Sequence, residues 1–327
     1  MIAFERTAHA TERRAGDETF AFRGVKNVPL NFQLGEWRLL SIAHRLAVYE
    51  CTNRAAPPLA TLPSLGEADG YLLTSLPAPI DLPHGGGSWI KRVLRHYPRH
   101  FVDLTTGYDA YLEKFSGKTR STLKRKLRKF QELSGGAIDW KEYRTPDELR
   151  IFMPLARTLS AKTYQERLLR AGLPDSARFA DETMARAARD EVRAYILFLD
   201  AKPVSYLFLP IDDTRVIYAH LGYDPAVSEH SPGTVLQLLA LERLFAERRF
   251  SVFDFTEGGG GHKELFATHT EQCVDMLILK RTLSTLTLSS VHATFVRTEA
   301  ALAKLVETLG LKKRLKQLLR RAASSGD

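Results

Sequence analysis

The apolar and polar positions between residues 192 and 224 follow the pattern of three consecutive β-strands. The apolar runs are RAYILFLD, VSYLFLPI and RVIYAHLGYD, and short turns around residues 200–203 and 212–214 join them. Short turns between runs rich in β-branched and aromatic residues are typical of hairpins. This part of the chain is therefore predicted to form an antiparallel meander.

An amphipathic helix and another strand follow the meander. Apolar residues recur at helical spacing over residues 234–249, and the run SVFDF comes next. A strand, a helix and a strand in this order predict a right-handed parallel crossover. A short helix at 263–268 and the strand QCVDMLILK complete the unit. The predicted fold class is α/β (α+β), with a mixed sheet.

The first half of the chain has a less regular pattern. A helical period fits residues 28–51, where the apolar positions fall mostly on one side: Trp37, Leu40, Ile42, Leu46 and Tyr49. The run YLLTSLP predicts a short strand. A long helix is expected over residues 109–133, ending at Gly135–Gly136. Thr145 and Pro146 begin another helix as N-cap and first helical residue.

Length and composition favour a soluble globular protein of one large domain or two. The chain has 327 residues, of which 44% are hydrophobic and 26% charged. The polar N-terminus has no apolar signal region, and no apolar run is long enough to cross a bilayer. Two cysteines do not form a disulfide framework. We therefore expect a cytoplasmic location.

The net charge of +9 is concentrated in two patches. Residues 118–129 contain seven basic residues, residues 312–321 contain six, and neither stretch has an acidic residue. Without these thirteen basic residues the net charge of +9 becomes −4. Basic patches attract phosphate groups of lipids, nucleic acids or phosphorylated cofactors.

The loop before the helix of the crossover ends in Ser-Pro-Gly-Thr. Ser231 can cap the helix, Pro232 suits its first position, and Gly233 leaves room for close approach. The N–H groups and the dipole of a helix start favour a bound phosphate. A capped helix without a ligand fits the same residues, and both interpretations stay open.

The order GYDP, SPGT, FDF and HKELFA after a three-strand meander resembles the GNAT acyltransferase superfamily. More narrowly it resembles the CelD/BcsL-type branch with a BioF2-like acetyltransferase domain, to which the GNAT-type bacterial ceramide synthases are related. The resemblance covers residues 115–281. It implies acyl-CoA held between two splayed parallel strands. The residues implied near the pyrophosphate are Ser231, Gly233, Thr234 and Val235; those along the pantetheine run from Leu221 through Tyr223 to Asp224.

The resemblance also implies tandem lobes. Residues 1–110 would form a degenerate GNAT-like lobe and residues 111–281 the catalytic lobe, while residues 282–327 form a helical tail. In Fem-type peptidyl transferases, which are related, a lysine at the equivalent helix start lies near the acceptor. Lys263 matches it by position, although it also fits a surface lysine.

Transfer of an acyl group from a thioester to an amine needs a base, because an alkyl amine is protonated at pH 7. Strand alternation predicts that Tyr218, His220, Gly222 and Asp224 share one face. His220 titrates near neutrality and is the predicted base, with Tyr218 assisting or donating to the leaving thiolate. A hydrogen-bonded histidine at a strand edge is the alternative.

Asp254 is the next candidate for the base. Its neighbours Phe253 and Phe255 are apolar, so its carboxylate needs a partner or a role. A cap for the Gly-rich turn that follows is the alternative. His262 and His269 have no third residue at metal-ligand spacing, and we therefore predict no metal site.

The two basic patches bear on the acceptor. Leucines recur at helical spacing among the basic residues of 300–321, as in an interfacial helix on anionic lipid, although this face could equally pack on the protein. Residues 118–129 lack interleaved aromatic residues, which argues against single-stranded nucleic acid. Whether that stretch meets CoA, the acceptor or solvent stays open.

Together these features predict acyl-CoA-dependent N-acylation of an envelope-related amine, with a lipid amine of sphingoid type favoured. The protein is expected at the inner face of the cytoplasmic membrane as a peripheral protein. Three alternatives stay open. They are acetylation of an exopolysaccharide or amino sugar, a Fem-like transferase that uses aminoacyl-tRNA, and a non-catalytic GNAT-fold adaptor for membrane or nucleic acid.

Overall fold

The computed structural model describes residues 21–34, 37–51, 65–66, 68–79, 88–162, 172–283, 285–286 and 294. The predicted interfacial helix at 300–321 therefore lies outside the described residues. The described residues from 97 to 273 form one compact unit, here called the core unit. Those from 21 to 96 and from 274 onwards form a second, here called the flanking unit.

The helices and strands have the following bounds. The strands of the described chain are β1 (Ala21–Leu34), β2 (Trp37–Glu50), β3 (Gly70–Pro77), β4 (Trp89–Asp103), β5 (Trp140–Tyr143), β6 (Val192–Leu199), β7 (Lys202–Asp212), β8 (Arg215–Ile217), β9 (His220–Tyr223), β10 (Val252–Glu257) and β11 (His269–Lys280). The helices are α1 (Tyr108–Glu113), α2 (Gly117–Leu133), α3 (Pro146–Ser160), α4 (Ala177–Ala188), α5 (Pro232–Glu247) and α6 (Gly261–Phe266), with a 3₁₀ turn at Pro225–His230.

The boundaries of the two units differ from the predicted boundaries after residues 110 and 281. They fall within β4, at 96/97, and within β11, at 273/274. The expected boundaries were those that the resemblance implied, and the resemblance carries no signal for a boundary inside a strand. The assignment of residues 1–110 to a degenerate GNAT-like lobe stays a prediction.

The predicted helix at 28–51 is wrong, because these residues lie in β1 and β2. The two strands pair antiparallel as a hairpin, and β2 pairs parallel with β3 from Leu46 to Glu50. Ala47 and Tyr49 share a buried cluster with Tyr71 of β3. Leu46 and Val48, which alternate with them, are buried as well. Since both faces of β2 are apolar here, periodicity alone does not separate a strand from a helix.

The antiparallel meander is confirmed in the core unit. Strand β6 pairs antiparallel with β7 over its whole length, from Val192 opposite Pro210 to Leu199 opposite Lys202. The third predicted strand is divided by Tyr218 and Ala219, which belong to neither β8 nor β9. Both pieces pair antiparallel with β7, β8 with residues 211–212 and β9 with residues 205–208.

The parallel crossover is confirmed too. Strands β8 and β10 pair parallel, from Arg215 opposite Val252 to Ile217 opposite Asp254, and α5 connects them. The N–H of Tyr218 then donates to the carbonyl oxygen of Asp254, with 2.9 Å between N and O. Beyond this bond β9 pairs with β7, whereas β10 pairs with β4. The strands thus separate immediately after Tyr218, and the mixed sheet matches the predicted fold class.

Two apolar clusters cover the sheet of the core unit. One contains Leu207 and Leu209 of β7 with the buried faces of α2 and α5. The other contains Tyr206 and Phe208 of β7 with the buried faces of α3 and α4. Because alternate β7 residues enter different clusters, the α2/α5 side and the α3/α4 side are opposite faces of the sheet.

The helices before the meander begin and end largely where the capping residues and glycines of the sequence predict. The predicted helix at 109–133 is divided into α1 and α2, because Ser116 caps a new helix by accepting from the N–H of Thr119. Helix α2 ends at Leu133 as predicted, and Gly135 and Gly136 after it have positive φ. Helix α3 begins with a capping box between Thr145 and Glu148. In the described part of the chain, no helix is long and apolar enough to cross a membrane.

Removing the Thr145 hydroxyl tests the capping box. Thr145→Ala should lower the unfolding free energy by about 1 kcal/mol, because the N–H of Glu148 loses its acceptor. Urea denaturation followed by circular dichroism measures the loss. Thr158→Ala, which changes an exposed threonine of the same helix, is the control. Equal effects of the two substitutions would contradict a capping role.

Candidate active site

The interruption at Tyr218 and Ala219 reverses the expected alternation of side chains. Tyr218 packs against the apolar cluster on the α2/α5 side, whereas Ala219 packs against the cluster on the α3/α4 side. His220 lies with its ring 6.2 Å from both Phe179 and Phe208, which belong to that second cluster. Leu221 returns to the α2/α5 side. The prediction that Tyr218 and His220 share a face is therefore wrong.

Tyr218 lies where β8 and β10 separate, surrounded by aromatic rings. Its ring centroid is 5.9 Å from Phe253, 5.3 Å from Phe255 and 6.5 Å from His262. Burial, and secondarily the nearby Tyr206, raises the pKa of the Tyr218 phenol above its ordinary value. The phenol therefore keeps its proton at neutral pH and can act as a hydrogen-bond donor.

His262 is a member of this site, although its sequence position suggested no role other than that of a metal ligand. Its Nε2 lies 2.5 Å from Oε1 of Gln237, a side chain of α5 with no exposed surface. Its ring also packs on Phe255 and Phe266. His262 as a whole residue is nevertheless exposed to solvent. A histidine directly after a Gly-rich loop was the available signal.

The environment of His262 favours its neutral form. Desolvation by the surrounding protein is the largest cause that lowers the pKa of the imidazole, and the charges of Lys126 and Lys263 lower it further. Lys126 belongs to α2, which contacts both α5 and the 3₁₀ turn. The basic helix thus brings positive charge to the same region.

Asp254 has the partner that its burial requires. It is fully buried and accepts from Arg99 through Nε at 3.0 Å and through Nη2 at 2.5 Å. Arg215 Nη1 lies 3.4 Å from the same carboxylate, and the N–H of Thr256 donates to it at 2.7 Å. The carboxylate therefore joins β4, β8 and β10 at the point where the strands separate. Its alternative interpretation, as a cap for the turn that follows, fits the bond from Thr256.

Lys263 has a structural contact as well. Its Nζ donates to the carbonyl oxygen of Glu257 at 2.7 Å, which connects α6 to the end of β10. The loop between them consists of three glycines, of which Gly258 and Gly260 have positive φ values of 90° and 155°. The lysine thus holds both ends of the Gly-rich loop together and places His262 beside Tyr218.

The start of α5 differs in detail from the expected cap. Ser231 occupies the N-cap position, but with φ 54° and ψ 47° and without a capping bond from its side chain. The N–H groups of Thr234 and Val235 instead donate to its carbonyl oxygen. The expected capping role of the Ser231 hydroxyl is therefore wrong, while Pro232 does occupy the first helical position.

Gly233 brings the start of α5 against β9. A Cβ atom at this position would lie 3.2 Å from Cδ2 of Leu221 and 3.4 Å from Cδ1 of Tyr223. The contact with Leu221 is tighter than ordinary van der Waals packing, and the contact with Tyr223 is at its lower limit. The residues expected beside pantetheine, Leu221 and Tyr223, therefore adjoin the residues expected beside pyrophosphate.

The site has the chemical groups for a proton transfer. A protonated phenol, a neutral imidazole and a cationic lysine lie together around Tyr218 and His262. Within the described residues, no group of three or more His, Cys, Asp or Glu side chains is arranged to hold a metal ion. Both cysteines are buried.

The comparisons with known proteins agree with this geometry. Residues 117–264 match the family model of the acetyltransferase (GNAT) domain. The structure is similar to a conserved protein of unknown function from Bacteroides thetaiotaomicron VPI-5482, with 14% identity and a TM-score of 0.52 over 80% of this chain and 86% of that chain. It is also similar to FemX, with 9% identity and a TM-score of 0.51 over 81% of this chain and 90% of that chain. Among curated proteins none matches the chain.

Residues 117–264 thus match a GNAT acetyltransferase domain, and the fold with its separated parallel strands is consistent with that match. The match begins at α2 and ends within α6, so it contains α5, β10 and the Tyr218–His262 pair. The likeness to the two solved structures supports the fold alone, since their sequence identities are low.

The buried ion pair of Asp254 has a measurable effect on stability. Asp254→Asn removes the buried carboxylate charge that pairs with Arg99, and the unfolding free energy should fall by about 3–5 kcal/mol. Chemical denaturation measures this loss. Asp181→Asn, at an exposed aspartate of α4, is the matched control and should change stability little. A loss of less than about 1 kcal/mol would show that the pair does not hold the three strands together.

Proposed function

We propose that the chain transfers an acyl group from acyl-CoA to the amine of an envelope-related acceptor. The observation that carries this proposal is the separation of β9 from β10 after Tyr218, with the start of α5 packed against β9 at Gly233. A thioester arm entering between the strands would have its carbonyl near Tyr218 and its phosphates near the start of α5.

Acyl-CoA fits this arrangement by charge and by shape. The start of α5 attracts anions through its dipole, and α2, with Lys126 and other basic residues, lies beside it. Enzymes with a GNAT domain use acyl-CoA as the co-substrate. We assign Ser231, Gly233, Thr234 and Val235 to the phosphate end.

Several side chains of the site receive roles within this proposal. Tyr218 donates a hydrogen bond to the leaving thiolate, because its phenol stays protonated. Lys263 holds the Gly-rich loop, and Asp254 holds the strands. His220 stays a candidate base on the α3/α4 side. We place Leu221 and Tyr223 along the pantetheine arm.

The surface charge of α2 indicates the class of the acceptor. In α2, the basic residues Lys118, Lys124, Arg125, Arg128 and Lys129 are exposed, and Arg128 has one ion pair, with Glu132 at 3.7 Å. An exposed basic surface beside an acyltransferase site suits an acceptor embedded among anionic lipids. We therefore favour a lipid amine of sphingoid type as the acceptor and a peripheral position of the protein at the membrane. This acceptor in turn favours the CelD/BcsL-type branch to which the bacterial ceramide synthases are related. A saccharide acceptor would not need this surface.

The flanking unit has no assigned chemistry in this proposal. Its buried carboxylate, Asp275, accepts from Arg95 and from the N–H of Ser75, so it has structural partners. We propose that this unit contains the degenerate GNAT-like lobe expected from the sequence. Its contribution would be to stability, with the reaction confined to the core unit.

A substitution at Thr234 tests the cofactor site. Thr234→Glu places a carboxylate in the first turn of α5, where the helix dipole favours it, so folding should be preserved. Repulsion of the pyrophosphate should weaken acyl-CoA binding at least about tenfold, or about 1.4 kcal/mol. Isothermal titration calorimetry measures the affinity. Position 233 is unsuitable, because any side chain there meets Leu221.

Thr234→Gln is the control for this experiment. It adds similar bulk without charge and should keep most of the affinity. If Thr234→Glu binds acyl-CoA as tightly as the wild type, the phosphates do not lie at the start of α5.

Vesicle binding tests the acceptor class. The full chain should cosediment with vesicles containing phosphatidylglycerol at low salt, since each basic residue near an anionic surface is worth about 1 kcal/mol. Binding should weaken at high salt and on neutral vesicles. Deletion of residues 300–327 should reduce it sharply if the predicted interfacial helix forms. Absence of binding at low salt would remove the support for a lipid acceptor.

A further inference from the structure

The Gln237–His262 pair is positioned for a role beyond packing. His262 lies at the opening between β9 and β10, and its ring faces that of Tyr218 at 6.5 Å. Gln237 has no exposed surface, and its Nε2 has no hydrogen-bond partner among the described residues. A buried amide that leaves its own donor unpaired while contacting the imidazole of an exposed residue incurs a cost that packing alone does not explain.

The contact determines which nitrogen of His262 carries the proton. A glutamine oxygen only accepts hydrogen bonds, so the 2.5 Å contact between Oε1 and Nε2 requires a proton on Nε2. The other ring nitrogen, Nδ1, then has the free electron pair. Because the residue as a whole is exposed to solvent, Nδ1 is a base that an incoming molecule can reach.

The charges around His262 come from several elements. Helix α2 contributes Lys126, and α6 itself contributes Lys263 and Glu264. The interruption between β8 and β9 contributes Tyr218, whose phenol is protonated, while α5 and β10 contribute the uncharged Gln237 and Phe255. Desolvation and the two lysines lower the pKa of the imidazole, so His262 is neutral at pH 7.

The other candidate bases are less well placed. His220 lies among the rings of the α3/α4 side, on the face opposite Tyr218. The carboxylate of Asp254 is fully buried and paired with Arg99. The Nζ of Lys263 donates to the carbonyl oxygen of Glu257.

We propose that His262, held in the Nε2–H tautomer by Gln237, takes the proton from the acceptor amine. This role rests on the proposed function. The amine nitrogen attacks the thioester carbonyl carbon, a C–N bond forms, and the carbonyl electron pair moves to oxygen. The amine proton passes to Nδ1. The oxygen electron pair then re-forms the carbonyl as the C–S bond breaks, sulfur leaves with the C–S electron pair, and proton return from the imidazolium yields the amide, the free thiol and neutral His262. Gln237 acts as a positioning residue.

Kinetics as a function of pH test the role of His262. The wild type should lose kcat/KM as the pH falls through the lowered pKa of His262, because the base becomes protonated. His262→Ala should lower kcat/KM for acyl-CoA and a sphingoid amine by about 10²–10⁴-fold and abolish this acidic limb. His269→Ala, seven residues away on the surface, is the matched control and should keep the wild-type profile. An acidic limb retained in His262→Ala, or lost in His220→Ala instead, would overturn the proposal.

Substitutions of Gln237 test its positioning role. Gln237→Glu places a carboxylate beside the imidazole, which should raise the pKa of His262 and shift the acidic limb to higher pH. Gln237→Met keeps the volume but removes the acceptor, and kcat should fall without that shift. Circular dichroism confirms folding of each variant. Identical pH profiles in wild type and folded Gln237→Glu would overturn the assignment.

Nitrogen-15 NMR of the histidine ring separates this inference from the proposed function. In the wild type, the imidazole of His262 should show the Nε2–H tautomer, and Gln237→Met should show a mixture. If the wild type binds no acyl-CoA in calorimetry, the proposed function fails whatever the tautomer. If acyl-CoA binds and turnover occurs but His262 has the Nδ1–H tautomer, the inference about His262 fails alone.

Discussion

The buried ion pair between Asp254 and Arg99 is the constraint on which the site depends. Asp254 is the last residue of β10 in the parallel ladder with β8, and its carbonyl oxygen accepts the final bond of that ladder, from Tyr218. Its carboxylate joins β4 to β10 through Arg99 and approaches Arg215 of β8. A fully buried carboxylate without these partners would be strongly destabilising. The position at which the strands separate is thereby determined.

The separation explains the arrangement of the chemical groups. Because β9 continues along β7 and β10 along β4, the two strands leave an opening beside Tyr218. Helix α5 closes one side, with Gly233 against β9 and Gln237 against His262. The Gly-rich loop, held by Lys263, brings His262 to the other side. The separation of the strands and the placement of the side chains of the site thus depend on the same backbone positions, at Tyr218, at Gly233 and in the Gly-rich loop.

Sequence patterns predicted the features that depend on local interactions. The meander, the crossover and the capping box of Thr145 follow from neighbours in the chain, and the structure has all three. The exchange of faces at Tyr218–Ala219 was not predictable, because it arises where the chain stops pairing with β10 while it stays paired with β7. Gln237 and His262 are 25 residues apart, so their contact has no local signal. The β1–β2 hairpin was mistaken for a helix because both of its faces contain apolar residues.

Amine-dependent release of CoA thiol tests the central claim most directly. The purified full chain should form a one-to-one complex with acyl-CoA in native mass spectrometry, across a panel of acyl lengths. Addition of a sphingoid amine should then release free thiol and produce the N-acyl product. Binding without amine-dependent thiol release from any lipid or sugar amine, or absence of any acyl-CoA complex, would contradict an acyltransferase built around the opening beside Tyr218.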